Sequence, residues 1–137
     1  MARLFRSMKE SGADLPQLEQ SARGLGVRPA IDVPAADFQE MVRPGEGGVS
    51  VAPDGPLNLP AFRRPPDFGG TGRDPVWVID ESELPPGLVY RPDPDREGHG
   101  FLEPAEEMSL AEYETAIAST QDRWRKVEEG EEPDNDI

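Results

Sequence analysis

Between Pro53 and Pro75 the chain reads PDGPLNLPAFRRPPDFGGTGRDP, with six prolines and four glycines in 23 residues. Proline lacks the N–H that helices and sheets use, and glycine adds backbone freedom, so no regular element longer than a turn is expected there. A loop of this length inside a compact domain is uncommon, and is either a functional lid or a linker. Its apolar residues Leu57, Leu59, Phe62 and Phe68 predict that it docks on the body of the fold. Over all 137 residues, 14 Gly and 16 Pro leave room only for short elements with long connections. Apolar residues make up 35% and mean hydropathy is −0.66, so the core is small. One domain over residues 1–127 and an acidic, disordered tail over 128–137 (EEGEEPDNDI) are expected.

The formal net charge is −14, from 28 acidic and 14 basic residues. Such a surface repels phosphate backbones and anionic membranes, which argues against nucleic acid or lipid as the main partner. There is no cysteine and one histidine, so thiolate nucleophiles, disulfides and metal sites are not expected. No apolar run approaches a membrane span, and MARLFRSMKESG shows no signal-type apolar segment. A cytoplasmic chain is expected, or one exported by a machine that reads no N-terminal signal.

Periodicity predicts strands at Ala2–Met8, Ile31–Val33, Gly47–Ala52, Val76–Ile79, Leu88–Arg91 and Gly98–Glu103. Asp14 is expected to cap a helix through Leu15, Leu18, Ala22 and Leu25, and a helical turn is expected at Asp37–Val42. Ser109 and Glu112 form a capping box opening a final helix, with Leu110, Tyr113, Ile117 and Trp124 on one face, to about Val127. Arg123, Arg125 and Lys126 would then sit in its last turns, favourable against the dipole. The pattern is α+β and not βαβ.

Candidate site residues each have a plain alternative. His99 could hydrogen-bond a ligand or be a polar loop residue. Glu103 shares a strand face with His99 and Phe101, and a carboxylate there could stabilise a developing cation, or simply close the strand before Pro104. Gly47-Gly48-Val49-Ser50 could let a ligand approach the backbone, with the Ser50 hydroxyl as a handle, or merely turn the chain into a hairpin. Arg6 could hold a phosphate or carboxylate, or be a sheet-edge charge. Asp93, Asp95 and Glu97 read as a solvated acidic turn.

In order along the chain, these pieces resemble the NAD-dependent exported toxins of type VI secretion. Leu4-Phe5-Arg6 is similar to that family's opening Leu-Tyr-Arg strand, and Gly47–Asp54 (GGVSVAPD) to its Gly-Gly-Thr-Ser-Val-Phe-Asp stretch. Val76–Asp93 resembles its strand, Pro-Pro turn and next strand. His99–Tyr113 resembles its His-Tyr-Thr-Ile-Met-Pro-Ala stretch and final helix. The resemblance implies an ADP-ribosyltransferase-like fold, a split, bent sheet of short strands with few helices and long Pro/Gly-rich loops around a NAD cleft. It implies cleavage of the nicotinamide–ribose bond through an oxocarbenium-like cation and transfer of ADP-ribose. His99, Glu103 and Ser50 are then the catalytic candidates. Arg6, Gly47, Gly48, Ser50 and Arg73 are the NAD-binding candidates, with Arg63 and Arg64 in reserve and the Pro53–Pro75 loop as a lid. The implied partners are NAD, a protein acceptor and a neutralising immunity protein. Two departures stand out: Val49 replaces the family's threonine, and Glu103 replaces its methionine. The alternative is a catalytically idle acidic binding module or toxin-neutralising partner.

Overall fold

The computed structural model describes residues 2–127, so the acidic segment expected at 128–137 lies outside the described residues. Eight strands and one α-helix follow in the order β1 (Arg3–Ser7), β2 (Met41–Val42), β3 (Val49–Pro53), β4 (Val76–Asp80), β5 (Leu88–Pro92), β6 (Gly100–Pro104), β7 (Met108–Ser109), α1 (Leu110–Ala118) and β8 (Arg125–Lys126). Six strands form one sheet in the order β5-β6-β3-β1-β4-β8, all pairs antiparallel, and β2 pairs with β7 separately. The class is α+β.

Strand period fixes two apolar faces. Leu4, Met8, Val49, Val51, Trp77, Ile79 and Leu102 face a core closed by Leu110, Tyr113, Ile117 and Trp124. Phe5, Ala52, Val76 and Val78 face a smaller one with Leu59, Val127 and the half-buried Phe68. VWVI is therefore an unbroken apolar run because both faces of β4 are covered. The second face is covered by the proline-rich loop, which docks as expected through Leu59 and Phe68 while Leu57 and Phe62 stay exposed. That loop is three 3-10 turns, at Pro56–Asn58, Ala61–Arg63 and Pro66–Phe68. Arg64 braces it from inside, donating to the carbonyls of Leu59 and Phe68 at 3.1 and 2.7 Å.

The helix expected from Asp14 does not form. Asp14 is left-handed, with φ 60°, where an N-cap would be extended. Residues 9–25 instead bond across the segment: Gln17 N–H to the Lys9 carbonyl, Leu25 N–H to Gln17 and Lys9 N–H to Arg23. Residues 31–33 form no strand, and of the helical turn expected at 37–42 only a hydrogen-bonded turn from Asp37 to Glu40 forms (3.0 Å) before β2 takes Met41 and Val42. Ser109 and Glu112 do cap α1 reciprocally, at 3.1 and 3.0 Å, but the helix ends at Ala118. The Ser119 and Thr120 hydroxyls donate back to the Ala116 and Ile117 carbonyls at 2.6 and 2.7 Å, which competes with further helical bonding. Trp124 still reaches the core, but from beyond the helix, with its indole N–H on the Thr120 hydroxyl at 2.9 Å. Arg123, Arg125 and Lys126 accordingly lie past the end of the helix, in a 3-10 turn and in β8.

Gly48 precedes β3 where β6 and α1 converge. A Cβ there would overlap the Leu102 carbonyl oxygen and stand 2.7 Å from the Tyr113 hydroxyl. That hydroxyl donates to the Leu102 carbonyl and accepts from Val49 N–H at 3.1 Å, so neither neighbour can yield. Gly48→Ala is expected to cost about 2–3 kcal/mol, the upper range for overpacking, and to lower the melting temperature accordingly. A thermal melt within experimental error of the parent would contradict this packing.

Candidate active site

The sheet comes apart along β1. Its ladder with β3 covers only Leu4↔Pro53 and Phe5↔Ala52, while the rest of β3 (Val49, Ser50, Val51) pairs with β6. Past Phe5 the two strands part, and the Arg6 side chain fills the opening. Its Nη1 donates to the Ser50 carbonyl at 2.8 Å, and its Nε and Nη2 to the Gly24 carbonyl at 3.3 and 2.9 Å. Nη2 also reaches the Ser21 carbonyl at 3.4 Å. Burial pushes the Arg6 pKa down to about 10, partly offset by Asp32, so it remains charged at neutral pH.

A cleft of about 150 Å³ opens beside this guanidinium. Arg6 and Ser7 come from β1, and Ser50, Val51 and Ala52 from β3. Asn58, Leu59, Pro60 and Arg63 come from the proline-rich loop, Arg96, Gly98 and His99 from the β5–β6 turn, and Ala22 and Arg28 from the irregular segment. No carboxylate is among these lining residues, although acids outnumber bases two to one in the chain. His99 Nδ1 lies 2.7 Å from Asp93 Oδ2, and its ring meets Phe101 edge-on at 4.9 Å. Asp93 is held below the usual carboxylate range by the Asp95 N–H and by His99. This acidic turn is therefore a support for the histidine as well as a solvated loop.

Two further cavities adjoin the cleft. One, of about 350 Å³, shares Arg96, Gly98 and His99 with it and is otherwise lined by Asp54, Asp93, Glu97, Tyr90 and neighbouring apolar groups. The other, of about 240 Å³, shares Ser7 and Arg63 and includes Arg73. The groove thus runs from an acidic end at His99, through an arginine-lined middle, to a basic end at Arg73.

The structure brings Arg6, Ser50 and His99 together and places Arg73 next door. It does not bring Glu103 to the cleft. Glu103 is buried, with Oε1 accepting from Gly45 N–H at 2.9 Å and from Arg91 Nε at 2.6 Å. Gly47 and Gly48 line none of the three cavities. Arg64 serves its own loop. Arg28, Arg96 and Asn58 line the cleft and escape a sequence reading, since nothing in their local pattern marks them.

One feature of the charges is selective. Among the described residues, the guanidinium groups of Arg63, Arg73 and Arg96 make no hydrogen bond or ion pair to the protein; Arg63 only stacks over Phe62 at 5.2 Å. By contrast Arg23, Arg28, Arg43 and Arg91 each pair with a carboxylate. Unpartnered guanidinium groups lining one groove in so acidic a chain give it a local positive charge of the kind that suits an anion.

An antiparallel sheet that parts around a buried arginine, with arginine-lined cavities at the parting, defines an α+β domain with a locally basic groove. The family model described as Tse2 ADP-ribosyltransferase toxin matches residues 2–125, and the chain belongs to that family. No curated protein and no solved structure matches it. No helix among the described residues is long and apolar enough to cross a membrane.

Proposed function

We propose that the chain cleaves the nicotinamide–ribose bond of NAD in this groove and transfers ADP-ribose to an acceptor, as a toxin restrained by an immunity protein. The carrying observation is the charge order of the groove. NAD has a cationic nicotinamide at one end and an anionic diphosphate in the middle. Arg63 and Arg96, free of protein partners, suit the diphosphate, with Arg28 beside them. The cavity beyond His99, with Asp54, Asp93, Glu97 and the Tyr90 ring, suits the nicotinamide end. The same carboxylates would favour the positive charge that develops at the ribose as the bond breaks. They supply what the central cleft lacks and what a remote Glu103 does not deliver.

Arg6 then shapes the cleft, since its donors are mostly spent on main-chain carbonyls. Ser50 offers a hydroxyl with no hydrogen-bond partner among the described residues. His99, oriented by Asp93, is the group best placed to bond a ribose hydroxyl. The described residues contain no group of three or more His, Asp or Glu placed to hold a metal ion. A second reading, an idle module that binds the dinucleotide without turnover, draws on the absence of carboxylates from the central cleft.

Release of free nicotinamide by the purified chain tests the two readings. Arg63→Ala and Arg96→Ala are each expected to raise the KM for NAD about tenfold or more, the worth of one charge-assisted hydrogen bond. Their melting temperatures should stay unchanged because neither guanidinium holds the fold. NAD-dependent thermal stabilisation without nicotinamide release would favour the idle module. Neither stabilisation nor release would end the dinucleotide reading.

A further inference from the structure

The cavity at the basic end of the groove has its own chemistry. Asp74 is its one carboxylate, and Arg23 engages it at both oxygens, with Nε 2.7 Å from Oδ2 and Nη2 2.8 Å from Oδ1. This pairing holds Asp74 below the usual carboxylate range. With that acid neutralised, Arg63 and Arg73 stand as two unpaired positive charges, accompanied by the exposed Thr71 hydroxyl. Two unpaired guanidinium groups and a hydroxyl match a phosphomonoester, which carries about two negative charges and three acceptor oxygens.

Its place matters as much as its charge. Ser7 and Arg63 wall both this cavity and the central cleft, so the two are immediate neighbours. It lies across the cleft's shared wall from the His99 end. If the nicotinamide sits by His99 and the diphosphate in the middle, the adenosine end points here. NAD itself has no third phosphate to offer Arg73, while Arg63, on the wall between the two cavities, already faces the diphosphate.

We propose that this cavity is a phosphomonoester subsite for the adenosine end of the dinucleotide, and that the chain binds the 2′-phosphorylated form, NADP, in preference to NAD. This inference rests on the orientation given under the proposed function. A free phosphate ion has the same chemistry, and the test separates the two sources.

The test is calorimetric titration of the full chain with NAD and with NADP, for the parent, Arg73→Glu and Arg123→Glu. The parent is expected to bind NADP about tenfold more tightly or better. Arg73→Glu should abolish that preference, lowering NADP affinity about tenfold more than NAD affinity. Arg123→Glu, which lines no cavity of the groove, should keep it. Equal affinity in the parent, or a preference that survives Arg73→Glu, overturns the subsite while leaving NAD binding intact. A parallel melt compares inorganic phosphate with chloride at matched ionic strength. Stabilisation by phosphate that Arg73→Glu removes, in a chain that binds neither dinucleotide, overturns the assignment to a dinucleotide and the proposed function with it, and leaves a free-anion site.

Discussion

Arg6→Ala is expected to melt roughly 10 °C below the parent and to lose NAD turnover. The arginine is buried and bridges two parts of the molecule that no β-ladder joins. Its removal strips a donor from the Ser50 carbonyl on one side and from the Gly24 and Ser21 carbonyls on the other. Unsatisfied buried carbonyls cost about 1–3 kcal/mol each, and the emptied volume adds to that. A loss of about 3 kcal/mol in a domain of this size lowers the melting temperature by roughly 10 °C. Arg6→Lys should fall between, because one ammonium on a flexible stem cannot span Ser50 and Gly24 together. The measurement is a thermal melt paired with nicotinamide release. A variant that melts within about 2 °C of the parent would sink the bridging role, since even one orphaned buried carbonyl costs more.

The same arginine explains where the sequence could and could not be read. Strands announce themselves through period two, and β1, β3, β4, β5 and β6 lie where alternation and β-branched runs place them. The capping box of Ser109 and Glu112 is equally local and equally visible. The segment around 14–25 has helical spacing, but its carbonyls have another use. In a helix the Ser21 and Gly24 carbonyls would accept from residues four further on. Here both accept from Arg6, a contact across 15 and 18 positions that no window of sequence displays.

The site shows the same division. Arg6, Ser50 and His99 were legible because they sit on strands or next to one, in an order that resembles a family. Arg28 and Arg96 escape the sequence, because irregular segments bring them in, and Arg63 stands out only as one of several loop arginines. The significance of Arg63 and Arg96 comes from a negative property, the lack of any hydrogen bond or ion pair to the protein, which only the folded chain shows. Glu103 shows the limit of period. Alternation puts it on the same face of β6 as Phe101, but says nothing of which partners its carboxylate meets. The carboxylate ends at Gly45 and Arg91, away from the cleft.

His99→Ala is expected to lower kcat for nicotinamide release about a hundredfold or more, with little change in melting temperature. The ring lies on the wall common to the arginine-lined cleft and the acidic cavity, so it borders the place where the scissile bond would lie. Asp93 at 2.7 Å engages Nδ1, which leaves Nε2 as the nitrogen open to a ligand. A positioned group of this kind contributes about 10²–10⁴ to rate. Stability should hardly change, because the imidazole bonds only Asp93 and touches the Phe101 edge. Asp93→Asn should give a smaller fall, near tenfold, since the ring remains but its orientation and charge support weaken. Glu103→Ala makes the contrasting case. It leaves Gly45 N–H without its acceptor and Arg91 without its carboxylate, so the melting temperature falls and any loss of turnover follows the loss of folded protein. Full turnover in His99→Ala would remove the histidine from the chemistry. Loss of turnover in a stably folded Glu103→Ala would instead mean that the groove changes shape to bring that carboxylate in.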